Sequence, residues 1–248
     1  IKKYYGREAK VIYPPVGMMA RQMPSGNVNF PQRGKFTRGL RSLPPTTFKI
    51  KSSGGTMPAR SASVPEGILP NHQERFSVEY FLIVSQLTPY KRIDLAIEAF
   101  NKLELPLVII GEGKDRKRLE SLAEENIKFL GFLPDEIILQ YYQNCVAFIF
   151  AGEDDFGLAP VEAMSFGKPV LAYRAGGATE TILEGITGEF FDDLASESLA
   201  DGVRRLKMNF KNYSPIVIRK RAEKFSEERF EKEMVEFIDK ICYPKDEL

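Results

Sequence analysis

From residue 80 to residue 172 the chain alternates between two kinds of stretch, and this alternation limits its fold more than any other feature. Apolar runs of strand length occur at 80–85 (YFLIVS), 107–110 (LVII), 127–130 (IKFL), 146–150 (VAFIF) and 170–172 (VLA). The continuous run at 80–85 suits a strand that is covered on both faces. Between them, 90–103 spaces Ile93, Ile97 and Phe100 at helical intervals. Residues 114–124 form a charged helical pattern with Leu119 and Leu122 turned inward, and 135–144 and 159–166 also read as helices. Strands alternating with helices of this length predict parallel βαβ units: an α/β fold with a doubly wound, Rossmann-like parallel sheet. After residue 172 helices dominate, at 196–208, 214–225 and 226–241, so a helical C-terminus is expected and no further strand is predicted.

In such a sheet, ligands bind beyond the carboxyl ends of the strands. The loops predicted there are 86–91, 111–114, 131–134, 152–158 and 173–179. Glycine in four of them lets backbone approach a ligand closely. Loops that open helices also present free N–H groups to an anion such as phosphate. Gly111-Glu112-Gly113 fits this role, and it equally fits a tight strand-to-helix turn. Lys91 and Arg92 open a predicted helix, electrostatically the wrong end for cations, so they are candidates for holding a negative ligand, with a solvated face as the alternative. Asp154 and Glu162 stand eight positions apart around Phe156 and Gly157, in the stretch that joins two predicted strands.

The flanks differ in kind. Residues 16–75 hold nine Lys and Arg against two Glu, an excess of seven positive charges in a chain whose formal charge is +1. Scattered Pro, Gly and Ser, with no sustained period, predict a disordered insertion over 16–77. Such a basic arm suits an anionic lipid surface or an acceptor, and an insertion without a role is the alternative. Residues 1–15 read as the end of a helix and a short strand at 10–13 closed by Pro14-Pro15, the remnant of an inter-domain link. Residues 242–248 read as a fraying tail. No run of about 18 apolar residues predicts a transmembrane helix, and the opening IKKYYGREAK does not resemble a secretory signal. A chain that begins at Ile1 within a basic amphipathic segment is expected to be part of something longer. His72, the sole histidine, makes a His-based metal site or a Ser-His-Asp triad untenable. Cys145 and Cys242 fit a reducing cytoplasm, so the expected location is cytoplasmic, with peripheral membrane contact the variant that the basic arm allows. A net charge of +1 gives no reason to expect nucleic acid as a partner.

Five ordered blocks carry a resemblance: SQLTPYKRIDLAIEAF (85–100), GEG with a leucine six positions on (111–119), FLGFL (129–133), DDFGLAPVEAM followed by GKPV (154–170) and GGATET (176–181). Together they resemble the C-terminal, nucleotide-sugar-binding domain of the retaining family 4 glycosyltransferases, and most nearly their mannosyltransferase-like branch. The resemblance covers 78–241, and residues 1–16 resemble the link from that family's N-terminal domain. It implies a GT-B architecture of which only the donor half is present, the N-terminal acceptor domain being absent. It implies metal-independent transfer with retention, no cofactor, a GDP- or UDP-linked hexose as donor, mannose being one candidate, and a glycan or lipid-linked acceptor, as in polysaccharide biosynthesis. By resemblance, Lys91 is the phosphate-binding lysine and Glu162 the carboxylate that accepts both ribose hydroxyls. Asp154 is the acidic residue near the sugar, and Lys91 and Asp154 form the catalytic pair. Donor contacts are implied for Gln86, Gly111, Gly113, Gly131, Phe132, Leu133, Phe156, Gly157 and Leu158, with 131–133 beside the base. Two positions depart from the family pattern: Gln86 stands where an arginine is usual, and Asp154 where a glutamate is. A nucleotide-sugar-binding module without turnover is therefore the alternative reading.

Overall fold

The computed structural model describes residues 11–16 and 79–242. The expectations for the helix end before residue 11, for the basic segment, apart from Val16, and for the tail beyond Cys242 lie outside the described residues.

Six short strands form one fully parallel sheet: β1 (Phe81–Val84), β2 (Leu107–Ile110), β3 (Ile127–Gly131), β4 (Ala147–Phe150), β5 (Val170–Tyr173) and β6 (Gly188–Phe191). Their order is β3-β2-β1-β4-β5-β6, the doubly wound order, with β1 hydrogen-bonded to β2 on one side and β4 on the other. The helices are α1 (Ile93–Leu103), α2 (Arg116–Leu122), α3 (Asp135–Asn144), α4 (Leu158–Ser165), α5 (Ala178–Thr181), α6 (Ser196–Met208), α7 (Pro215–Ala222) and α8 (Glu227–Cys242). The α/β class, the parallel sheet and the helical C-terminus are as expected.

Most of the apolar runs become strands covered on both faces, whereas the edge strand β3 leaves Lys128 exposed. Every residue of β2 and β4 is buried, and in β1 only Val84 is partly open. α1 buries Ile93, Ala96, Ile97 and Phe100 as one stripe, with the Phe100 ring edge-on to Phe81 at 5.1 Å. The same helix packs along α6. From β1 the chain winds outward through β2 to the edge strand β3, then crosses back to β4 on the other side of β1. The loops after β1 and β4 lie side by side where the winding direction reverses.

Three details differ from the sequence-based expectation. A sixth strand, β6, follows β5. Its sequence GEFF hides a strand because Glu189 is polar yet buried, and the Tyr213 hydroxyl and the Asn209 amide satisfy its carboxylate from outside the strand. Residues 11–13 form no strand. They pair with neither edge strand, and the link is held instead by Val16 N–H donating to the Phe225 carbonyl (2.9 Å) and by Arg229 donating to the Tyr13 carbonyl (2.7 Å). Leu122, expected inward, ends α2 half exposed, while Leu119 is buried as expected.

Candidate functional site

Beyond the carboxyl ends of β1, β2 and β3, three loops are joined by main-chain hydrogen bonds. Leu87 N–H donates to the Glu112 carbonyl (2.9 Å), Asp115 N–H to the Leu87 carbonyl (3.1 Å), and Gly111 N–H to the Gly131 carbonyl (2.8 Å). This network brings Gln86, Gly111, Gly113 and Gly131 into one rim. Gln86 and Phe132 are exposed on it, whereas the Leu133 side chain is buried and leaves only its backbone at the surface.

Of the two cations expected at a helix start, Arg92 stands at the N-cap of α1, whereas Lys91 ends a separate turn. Pro89–Lys91 forms a single 3-10 turn, and Arg92 then takes a left-handed conformation (φ 49°) that separates this turn from α1. Arg92 pairs with Asp94 at 3.3 Å. Lys91 reaches across the reversal point of the sheet and binds both carboxylate oxygens of Asp154, 2.6 Å from Oδ1. Their side chains are 15% and 24% exposed, so the pair is sheltered but still touches solvent. Gly152 makes this approach possible, since a Cβ there would stand 2.7 Å from the Lys91 Cα. On the other side, Gly177 N–H donates to the Asp154 carbonyl at 2.9 Å, so Asp154 is fixed by both backbone and side chain.

Asp154 leads through Asp155 and Phe156 to Gly157, whose positive φ of 78° turns the chain into α4. No side chain caps α4, so the N–H groups of its first turn remain available to an acceptor. Leu158 stands half exposed at that start. Phe156 turns its ring away, onto Tyr13 (6.0 Å) and Phe225 (5.5 Å), so only its backbone faces the loops.

Glu162 lies farther along α4 and has a different partner. Its Oε2 accepts a hydrogen bond from the Tyr142 hydroxyl at 2.9 Å. Burial raises the pKa of its carboxyl; the Tyr142 bond opposes the rise and the Asp135 charge adds to it. The two carboxylates that frame the loop are thus held by different groups, Asp154 by a cation and Glu162 by a phenol. Among the described residues, no three His, Cys, Asp or Glu side chains converge as a metal cluster. A hollow of about 670 Å³, lined by Tyr13, Glu180, Arg221 and Arg229 among others, lies away from Lys91 and Asp154. The site follows from the strand order and the loop network rather than from the size of a cavity, since the loop cluster is an open surface.

A model of the glycosyl transferases group 1 family matches residues 70–230. The chain belongs to that family. It is similar to a probable sucrose-phosphate synthase of Thermosipho melanesiensis, 28% identical over 199 residues, which are 71% of this chain and 47% of that protein. It is also similar to a GDP-mannose-dependent alpha-mannosyltransferase of Corynebacterium glutamicum, 31% identical over 110 residues, 44% of this chain and 26% of that protein. Among solved structures it resembles Anabaena HepE in complex with UDP-glucose, with a TM-score of 0.59 and 25% identity, over 66% of this chain and 49% of that one. The chain therefore spans half or less of the length of these relatives.

Within this glycosyl transferase domain, sequence reasoning missed two residues that shape the site. Tyr142 was not singled out, although a deeply buried tyrosine needs a partner for its hydroxyl and so points to a polar neighbour. Gly152 fell within the predicted loop 152–158 with no role of its own. Its contact with Lys91 follows from the pairing of β1 with β4, which chain order alone does not state.

Proposed function

We propose that this chain is the donor-binding half of a retaining, metal-independent glycosyltransferase of family 4. It would take a hexose, with mannose one candidate, from a GDP- or UDP-linked donor and serve transfer to a glycan or lipid-linked acceptor. The observation that carries this reading is the Lys91–Asp154 pair, placed where β1 and β4 part and where a doubly wound sheet binds its ligand. With no cation other than the protein's own, a leaving diphosphate is neutralised by fixed positive groups and helix N-termini. Lys91 supplies the charge, and the uncapped first turn of α4 supplies N–H donors. In this mechanism Lys91 exchanges part of its contact with Asp154 for the diphosphate, leaving the Asp154 carboxylate free beside the sugar ring. Glu162 accepts from the ribose hydroxyls, and the rim from Gly131 to Leu133 borders the base. The neighbour solved with UDP-glucose and the mannosyltransferase relative support a nucleotide-sugar donor without choosing between bases. Peripheral contact with a membrane through the basic segment belongs to the same proposal.

A second reading, a nucleotide-sugar-binding module without turnover, is favoured by Gln86, which brings no charge to the diphosphate site. Titration calorimetry with UDP and GDP, in EDTA and again with manganese, tests the donor-binding core that both readings share. Binding that persists in EDTA is expected, and strict dependence on manganese would overturn metal independence. In the same assay Gln86→Arg is expected to tighten binding about tenfold or more, the scale of a hydrogen bond to a charged group; no gain would remove Gln86 from the diphosphate site.

A further inference from the structure

Two tyrosine–glutamate pairs lie inside this fold, and they are completed differently. The Tyr213 hydroxyl and the Asn209 amide (3.3 Å) both donate to Oε1 of Glu189, and the Arg205 guanidinium stands 4.0 Å from its Oε2. Glu189 is thus a buried carboxylate faced by a phenol, an amide and a cation of the protein itself. Glu162 receives only the Tyr142 hydroxyl, on Oε2, and among the described residues no cation or amide completes it.

The Tyr142 hydroxyl is itself placed with little freedom. The residue is fully buried, its ring stacked on Phe166 (centroids 5.7 Å, planes 3° apart) and tilted against Phe148 at 5.7 Å. Turning the ring means moving both neighbours in a close-packed core. A buried tyrosine does not need a carboxylate as its acceptor, since Tyr80, equally buried, donates to the main-chain carbonyl of Tyr141 at 2.9 Å. Glu162 is only partly buried, and its Oε1 is not a buried atom left without a partner, so that oxygen opens to solvent. The half left open is where a ligand fits.

We infer that Tyr142 is a positioning residue: it holds Oε2 of Glu162 so that Oε1 meets the ribose hydroxyls of a bound nucleotide. This rests on the ribose-binding role proposed above for Glu162. Tyr142 does not touch the nucleotide and acts only through the orientation of its neighbour.

The test is Tyr142→Phe in the full chain, which keeps the stacked ring and removes the oxygen. Calorimetry compares UDP and GDP with their 2′,3′-dideoxy analogues, for the wild-type chain and the variant. The variant is expected to bind UDP or GDP about tenfold more weakly, the scale of one charge-assisted hydrogen bond. For the dideoxy analogues, which offer Glu162 no hydroxyl, the difference is expected to fall below about twofold. An equal loss with both kinds of nucleotide would make Tyr142 purely structural, and no loss with either would make it irrelevant; each overturns the inference. A wild-type chain that binds UDP or GDP no better than its dideoxy analogue overturns instead the ribose-binding role of Glu162.

Discussion

The Glu162 carboxyl accepts one hydrogen bond, and its shelter between α3 and α4 raises its pKa above the ordinary glutamate value of 4.5. The charged and titratable groups around it come mainly from α3: Tyr142, whose hydrogen bond opposes the rise, and Asp135, whose charge adds to it. β4 and β5 present apolar residues to α4, apart from Tyr173, which packs on Phe191. Glu180 of α5 is engaged with Tyr13, and on α7 Arg219 lies against Gly167 while Arg221 donates to the Thr181 carbonyl at 2.9 Å. A raised native pKa means that the folded chain holds the proton more tightly than the unfolded chain. Ionisation of Glu162 therefore begins to weigh against the fold as the pH rises past 4.5, and does so fully above the raised native value. Glu162→Gln keeps an acceptor for Tyr142 and removes the charge. It is expected to melt higher than wild type near neutral pH, with the gain disappearing below pH 4.5, where both side chains are neutral. The same variant is expected to bind UDP or GDP several-fold more weakly, because a neutral acceptor makes a weaker bond than a carboxylate. Melting curves across that pH range and calorimetry check both halves. A variant that melts lower at neutral pH would make Glu162 a structural residue instead.

At the scale of elements, the segment from β4 to α4 does most of the positioning, because one loop carries Gly152, Asp154 and Gly157. Gly152 passes so close to the turn after β1 that an added Cβ would lie 2.7 Å from the Lys91 Cα and 2.8 Å from its carbonyl oxygen. Those are backbone atoms and cannot swing aside. Gly152→Ala is therefore expected to destabilise the domain by about 1–3 kcal/mol and to weaken UDP or GDP binding with it, as urea unfolding and calorimetry would measure. Unchanged stability would mean that the two loops move apart freely. Five of the six strands and every helix except the short α5 were legible in the sequence, since apolar runs and helical spacing reflect burial directly. β6 was not, because the partners that make Glu189 tolerable arrive some twenty positions later, in Asn209 and Tyr213. The break at Arg92 was also hidden: a positive φ at a non-glycine residue leaves no mark in hydropathy. Lys91 and Asp154 could each be singled out as a charged residue in a loop. Their union could not, because they lie 63 residues apart and meet only through the pairing of β1 with β4. Tyr142 stayed hidden for a related reason, its apolar ring fitting the core pattern while its one polar atom sets the site.

For the molecule as a whole, the decisive fact is that the chain covers 47% of the sucrose-phosphate synthase relative and 49% of the Anabaena structure, while the family match takes in most of its own regular structure. Gln86, Phe132 and Leu158 stand exposed at the candidate site, and Asp154 is engaged by Lys91. Such a surface can hold a nucleotide by its ribose, diphosphate and base edge. Among the described residues nothing closes over it, and transfer requires that water be kept from the reacting carbon and an acceptor be held against it. The 248-residue chain is therefore expected to bind UDP-glucose or GDP-mannose without consuming it. Chromatographic assay of UDP or GDP release should give the rate found in buffer alone, even at donor concentrations that saturate binding by calorimetry. Release above that rate, lost in Lys91→Ala, would mean that this chain carries the whole catalytic set, and the donor-half reading would give way to that of a self-sufficient enzyme.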